Sequence, residues 1–450
     1  MGCAVDNHLV DGKGDPAPGD DTSGDTMDSA TTGDACGSAS PAWNLATTWS
    51  ASLDSSGVPW GGVVVGPLEP GGLPAVVVTS VGTGVVAAYA GVDGAELWQQ
   101  SPANVAQMSI PALGDLDGDG APEVVVTTDV GILAFHGDGT RYWTADAPRS
   151  VKPACGGVGI ADLDGDGLPE VYYGRLIVNG QTGEQRAEGR GGWGTSVAGG
   201  SPISVAANLR GSIQSLVVGN AAYDADGNTV WSTGDDGYPA VADLDGDGLA
   251  DIVVARSTAV VRLTADGTEV WSVAKTGGGP PAIADFDGDG TPDIAVPFAD
   301  SVVVFDADGV QMWRHKTTET FYVTNGVTAY DLDGDGAAEL LLSSEDGVEI
   351  LDGRSGDVLA ASARSSPFCA QGPSVADLDG DGASDVVYLG MGEHEVHVRV
   401  LHDTDGFRRS GTVWNQDGFS VTNVRADGTI PSAPESNWPT WNSFRAAGCQ

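Results

Sequence analysis

The sequence predicts an all-β chain folded as a β-propeller of about eight four-stranded blades, with seven blades as the alternative. Three observations carry this reading. An acidic nonapeptide, D-x-D-G-D-G-x-x-[D/E], begins six times, at Asp115, Asp162, Asp243, Asp285, Asp331 and Asp377. The spacings are 47, 81, 42, 46 and 46 residues, so the long one has room for a degenerate copy. Each copy leads into short β-branched runs and a turn glycine, and no long window shows the apolar period of a helix.

In chain order, residues 1–40 read as a disordered acidic tether. Residues 6–40 hold eight Asp and one Lys among Gly, Ser, Thr and Pro, too little apolar surface to order a segment. The opening Met1-Gly2-Cys3-Ala4 resembles the trimmed lipobox of a bacterial lipoprotein. That resemblance implies a lipid on Cys3, as the only membrane contact, and a place outside the cell or on its surface. The propeller is assigned to residues 41–412. Its first element, Trp43 to Leu53 with Trp49, reads as an isolated last strand that completes the blade beginning near Asp377, so that both chain ends close one blade.

Gly66 to Val78 then aligns without gaps on Gly114 to Val126 and makes one degenerate repeat. Asn208-Leu209-Arg210-Gly211-Ser212 followed by Leu216-Val217-Val218 makes the other, for eight in all. Inside a repeat the order is a short apolar lead (Ile160-Ala161), the acidic loop, a β-branched run (Glu123 to Thr127), a second strand (Gly131 to His136), a turn such as Asp138-Gly139, and a last strand. The turn glycine recurs at Gly94, Gly139, Gly183, Gly227, Gly267, Gly309, Gly356 and Gly406. A tryptophan follows four residues later at Trp98, Trp143, Trp231, Trp271 and Trp313, where the other repeats hold Ala187, Ala360 and Ser410. These tryptophans read as packing between adjacent blades. Residues 413–450 form a C-terminal segment expected to cap the propeller with its tryptophans buried.

The acidic loops predict calcium, about six ions. Calcium takes six to eight oxygen ligands and tolerates irregular geometry. The expected ligands at positions 1, 3, 5, 7 and 9 are Asp115, Asp117, Asp119, Ala121 and Glu123 in the first loop. The second uses Asp162, Asp164, Asp166, Leu168 and Glu170, and the third Asp243, Asp245, Asp247, Leu249 and Asp251. The fourth uses Asp285, Asp287, Asp289, Thr291 and Asp293. The fifth uses Asp331, Asp333, Asp335, Ala337 and Glu339, and the sixth Asp377, Asp379, Asp381, Ala383 and Asp385. Position 7 offers its backbone carbonyl, and the two glycines permit the positive φ angles that turn the carboxylates inward. Three aspartates at alternate positions of a tight loop repel one another unless a cation lies between them. An EF-hand is disfavoured because strands rather than helices follow, and each loop reads as self-sufficient.

The chain has 63 acidic against 20 basic residues, a formal charge of −43. That balance excludes nucleic acid and direct attraction to an anionic membrane. Five cysteines, Cys3, Cys36, Cys155, Cys369 and Cys449, show no CxxC or Cys/His cluster, so zinc is not expected. Cys36 and Cys449 flank the domain and could staple its ends. No run of about 18 apolar residues is present to make a transmembrane helix.

The repeats resemble the FG-GAP/VCBS repeats of integrin α-subunit propellers and of many bacterial exported proteins, over roughly residues 60–410. The resemblance implies calcium at the six intact loops and none at the copies beginning at Pro67 and Asn208. Repeats shorter than the integrin ones and the lack of consistent FG and GAP strings leave integrin-like partners without support. The tail, with Val413-Trp414-Asn415-Gln416, Asp427-Gly428-Thr429-Ile430-Pro431 and Trp441-Asn442-Ser443-Phe444-Arg445, is similar to a segment that often follows such repeats in bacterial surface proteins.

Function reads first as a binding or adhesion module for an unidentified glycan or protein, not an enzyme. A polysaccharide lyase-like or other propeller enzyme is the alternative, and a purely structural envelope protein the third. Against an enzyme, the chain offers four lysines and six histidines (8, 136, 315, 394, 397, 402) as bases, and His394 and His397 would face opposite sides of one strand. No Ser/His/Asp set or paired-acid arrangement stands outside the loops.

Overall fold

The computed structural model describes residues 43–447 except the short segments 54–60, 81–83, 102–108, 129–130, 147–155, 197–201, 210, 212, 318–325, 345–346, 364–370, 392–395, 404–405 and 440. The acidic tether, all five cysteines with their pairing, and His394 lie outside the described residues.

Within them the chain forms eight antiparallel sheets and no helix. Blade 1 is Val63–Gly66, Ala75–Ser80, Val85–Ala90 and Glu96–Gln100. Blade 2 is Ala112–Gly114, Glu123–Thr128, Gly131–Phe135 and Arg141–Asp146. Blade 3 is Gly159–Ala161, Glu170–Tyr173, Leu176–Asn179 and Gln185–Glu188, and blade 4 Val205–Ala207, Ser215–Val218, Ala221–Tyr223 and Thr229–Ser232. Blade 5 is Gly237–Ala242, Asp251–Arg256, Ala259–Leu263 and Glu269–Ala274, and blade 6 Ala282–Ala284, Asp293–Phe298, Ser301–Phe305 and Gln311–Lys316. Blade 7 is Val327–Tyr330, Glu339–Ser343, Gly347–Leu351 and Val358–Ala363. Blade 8 is Ser374–Ala376, Asp385–Met391 and Val396–Asp403, completed by Leu45–Ser52 from the other end of the chain. The count is eight, not seven.

Burial falls off outward along each blade, and the sequence pattern follows it. In blade 2, Glu123–Thr128 and Gly131–Phe135 are buried at every residue and read as unbroken apolar runs, because neighbouring blades cover both faces. Arg141–Asp146, the outermost strand, alternates buried and exposed residues. The same change runs from Asp293–Phe298 to Gln311–Lys316 in blade 6.

Four of the recurring tryptophans clip their blade to the next by a hydrogen bond. The indole N–H of Trp98 donates to the Gly137 carbonyl of blade 2 at 2.8 Å, and Trp143 to Gly180 of blade 3 at 2.7 Å. Trp271 donates to Ala307 of blade 6 at 2.9 Å, and Trp313 to Gly353 of blade 7 at 2.6 Å. Each ring lies on the turn glycine of the following blade. At Gly183, with φ of +71°, a Cβ would sit 2.6 Å from the Trp143 ring, so both backbone conformation and space require glycine.

Closure uses the same clip. Leu45–Ser52 pairs antiparallel with Val396–Asp403, and Trp49 donates to Gly91 of blade 1 at 2.6 Å. Gly406 keeps its turn, with φ of +84° and its N–H on the Asp403 carbonyl, but Ser410 occupies no outer strand of blade 8, because Leu45–Ser52 with Trp49 fills that place as the sequence predicts. The chain after Gly406 instead turns inward.

That chain crosses the ring on the side of the acidic loops and hydrogen-bonds every blade at its innermost strand or the residue next to it. Trp414 and Val65 exchange backbone bonds of 2.8 and 2.9 Å, and Leu113 N–H donates to Asn415 O at 2.8 Å. Ile160 N–H donates to the Gln416 side chain at 2.8 Å, and the Asn208 amide to Pro434 O at 2.6 Å. Asp243 N–H donates to Asn442 Oδ1 at 2.9 Å, and Ile283 pairs with Phe444 through two 2.9 Å bonds. Ala446–Ala447 adds a parallel fifth strand to blade 7, and Asp377 N–H donates to Gly411 O at 3.0 Å. Of the three tail tryptophans, Trp414 is buried, while Trp438 and Trp441 are half-buried on the rim. The cavity beside Asn437 and Trp438 measures about 30 Å³, room for one or two waters and not for a sugar ring.

Candidate metal centres

Each acidic loop joins the first strand of a blade to its second, and each is built by its own carboxylates. The position 1 aspartate accepts from the glycine N–H at position 4 at 2.7–2.8 Å. It accepts again from the glycine at position 6 at 2.7–3.2 Å. Both glycines have positive φ in all six loops, for example +81° and +87° at Gly118 and Gly120. The closing acid at position 9 accepts from the N–H at position 2 at 2.7–3.2 Å. The carboxylate at position 5 takes the N–H of position 7, as Asp119 does from Ala121 at 2.8 Å, and the same bond recurs at Leu168, Leu249, Thr291, Ala337 and Ala383.

The result is a set of convergent oxygens. Ligand atoms of Asp115, Asp117 and Asp119 lie within 4.8 Å of one another. So do those of Asp162, Asp164 and Glu170, of Asp243, Asp245 and Asp251, and of Asp285, Asp287 and Asp289. These clusters could hold metal ions, and an all-carboxylate set with backbone carbonyls nearby fits a hard divalent cation. The degenerate copies differ as their sequences require: in blade 1 Pro67, Gly71 and Ala75 replace three of the acids and leave Glu69 at position 3, and Asn208 in blade 4 is bonded to the tail.

Burial of the closing acids has an electrostatic consequence. Glu123 and Glu170 are 1–2 % exposed, and burial pushes both carboxyls up to about 7, against the pull of the Leu116 N–H and His136 on one and of the Leu163 N–H and Arg186 on the other. Asp293 is likewise pushed to about 7 by burial, with repulsion from Asp287, Asp285 and Asp289 added. Burial raises Glu339 well above the ordinary range. In metal-free protein these groups favour the protonated form. Their stabilisation is complete below the unfolded value of 4.5 for glutamate and is lost as pH rises through about 7. Metal-free protein is therefore expected to melt higher at about pH 5 than at about pH 8, and the order should reverse with excess divalent cation, which protons displace. Thermal scans at the two pH values, with and without the ion, check this.

The sequence reading missed the basic side chains that lean into the loops from neighbouring strands, so the loops are not self-sufficient. His136 Nδ1 lies 3.0 Å from Glu123 Oε1, and His402 Nδ1 3.4 Å from Asp385 Oδ1. Arg186 Nη1 contacts Asp164 at 2.7 Å and Glu170 at 2.5 Å, and Arg262 Nη2 contacts Asp245 at 2.7 Å and Asp251 at 2.8 Å. Arg354 pairs with Asp335. A signal was present for Arg262, a charged residue inside an otherwise apolar strand.

Comparison with known proteins gives the repeat its name. The FG-GAP-like repeat matches residues 115–173, 243–296 and 331–388, each span opening on the acidic loop of one blade and ending in the second strand of the next. The chain carries FG-GAP-like repeats. No curated protein sequence matches it. Among solved structures, the chain is similar to the V. cholerae biofilm matrix protein Bap1, at 19 % identity and a TM-score of 0.79, covering 91 % of this chain and 99 % of that one. It is also similar to the Bacillus licheniformis rhamnogalacturonan lyase PL11, at 16 % identity and 0.58, covering 89 % and 84 %. A third likeness is to the rhamnogalacturonan lyase YesW, at 18 % identity and 0.55, covering 78 % and 75 %. At these identities the likeness is one of fold.

Proposed function

We propose that the chain is an extracellular, calcium-stapled binding module that adheres to a glycan or protein. The observation that carries this reading is where the acids go. Their oxygens bind within each loop to the loop's own backbone, where the first strand of each of six blades turns into the second, so they hold the scaffold rather than converge on one cleft. The tail covers the loop side of the ring by bonding all eight blades, which leaves the other side as the face for a partner. Calcium is the cation that such oxygen sets suit, and millimolar calcium outside cells matches the affinity of extracellular modules. The end-to-end likeness to a biofilm matrix protein supports adhesion.

The test is a glycan array probed with the calcium-loaded protein and again in EDTA. Binding that disappears in EDTA supports the module. Two lyase neighbours keep a second reading in play, and release of unsaturated uronate from pectin or rhamnogalacturonan by the purified chain would overturn the first in its favour.

A further inference from the structure

The six loops are not equivalent. We propose that the loops of blades 3 and 5 carry their cation built in, with the guanidinium groups of Arg186 and Arg262 filling the place a metal takes in the other four. This inference rests on the calcium reading above and divides its sites into two classes.

The two arginines reach their loops from different strands yet make the same contact. Arg186 comes from the outermost strand of blade 3 and sets one nitrogen, Nη1, against Asp164 at position 3 and Glu170 at position 9. Arg262 comes from the third strand of blade 5 and sets one nitrogen, Nη2, against Asp245 at position 3 and Asp251 at position 9. In each loop these two carboxylates belong to the oxygen cluster that could hold an ion. A single nitrogen bonded to both sits between the oxygens a metal would have to bridge, so ion and guanidinium compete for one place.

The basic groups beside the other loops make different contacts. In blade 2 His136 lies 3.0 Å from the closing acid Glu123 and within 4.8 Å of Asp117 at position 3, as an imidazole that can itself join an ion's ligand set, and in blade 8 His402 approaches the closing acid Asp385. In blade 7 Arg354 pairs with Asp335 at position 5, and Arg408 donates to the backbone carbonyl of Asp333 at position 3. In blade 6 Arg354 donates only to the Asp287 carbonyl.

Register makes the case for Arg262 sharper. It faces Val253, two residues beyond the closing acid. The equivalent positions of the other blades hold Ala88, Ala134, Ile177, Ala222, Val304, Ile350 and Val400. An arginine only 4 % exposed there, paired with an aspartate 5 % exposed, has nowhere to go if an ion displaces it. Arg186, 26 % exposed, can swing toward solvent. Blade 5 should therefore resist calcium most and blade 3 less, both on the order of a hundredfold weaker than the rest through charge repulsion alone.

The experiment counts calcium bound to the full chain by equilibrium dialysis and elemental analysis. About four tight ions are expected in the native protein, one more in Arg186→Met and in Arg262→Met, and about six in the double variant. Should Arg262→Met fail to fold, Arg186→Met is paired with Met312→Arg, which puts an arginine at the Arg186 position of blade 6 and should remove one ion. Six equal sites in the native chain, or a count that none of these variants moves, overturns the inference and leaves the calcium reading standing. No bound calcium at all overturns both.

Discussion

Stripped of divalent ions, the chain is expected to melt about 10 °C or more below the calcium-loaded protein. The size follows from linkage. An ion that binds only the folded state, at a hundred times its dissociation constant, adds about 2.7 kcal/mol per site, and four such sites add about 10 kcal/mol. Unfolding entropy of about 2.1 cal/mol/K per residue over a propeller of this length converts that into a shift of about 10 °C. The structural reason lies in the loops. Removing the ion leaves carboxylate oxygens within 4.8 Å of one another around closing acids that burial already holds near neutrality. The backbone bonds at positions 1 and 9 keep the loop shape, so the loss should appear as lower stability with the strands intact. Scanning calorimetry with excess calcium and with chelator makes the comparison, and coincident melting curves would remove calcium from the account.

Much of this was legible in the chain because the repeat is written in residue types with one use each. Val-rich runs, a turn glycine and, in five repeats, a tryptophan at fixed offset specify strand, hairpin and clip. Trp49 could be assigned to the last blade because a tryptophan in a strand with no repeat before it needs a blade that lacks one. Three things were not legible. The reach of Arg186 and Arg262 depends on which strand lies beside which loop, a contact between residues 11 to 22 positions apart that the loop motif does not contain. That the turn at Gly406, with φ of +84°, is kept with no outer strand after it was hidden, although the strand that replaces it was read at the other end of the chain. The path of the tail was also hidden, since its bonds run to eight different blades with separations of up to several hundred residues and leave no period to read.

The tail also holds the second large effect. Replacing Arg445 by methionine is expected to cost about 3–5 kcal/mol, the usual loss when one member of a buried ion pair is removed. Arg445 and Asp417 are 2 % and 4 % exposed, and the Arg445 Nη2 donates to the Asp417 carboxylate. The pair ties the first turn of the tail, beside blades 3 and 4, to its last residues beside blade 7, and Arg445 adopts a φ of +49° that an ordinary side chain takes only when its surroundings hold it there. Burial pushes Asp417 up to about 6 while Arg445 pulls it down, so in Arg445→Met the carboxylate should take up a proton rather than stay charged. The destabilisation should then shrink on acidification, because a raised acid carries its full penalty above its folded value and none below its unfolded value of 3.8. Adding Asp417→Asn removes the stranded charge and should recover part of the loss, since the cost lies in breaking the pair more than in lacking it. Thermal midpoints of the single and double variants, with proteolysis of the tail as a second readout, measure this. An Arg445→Met protein that melts within a degree or so of the native chain, with its tail still protected, would mean that the eight blade contacts hold the tail without the central pair.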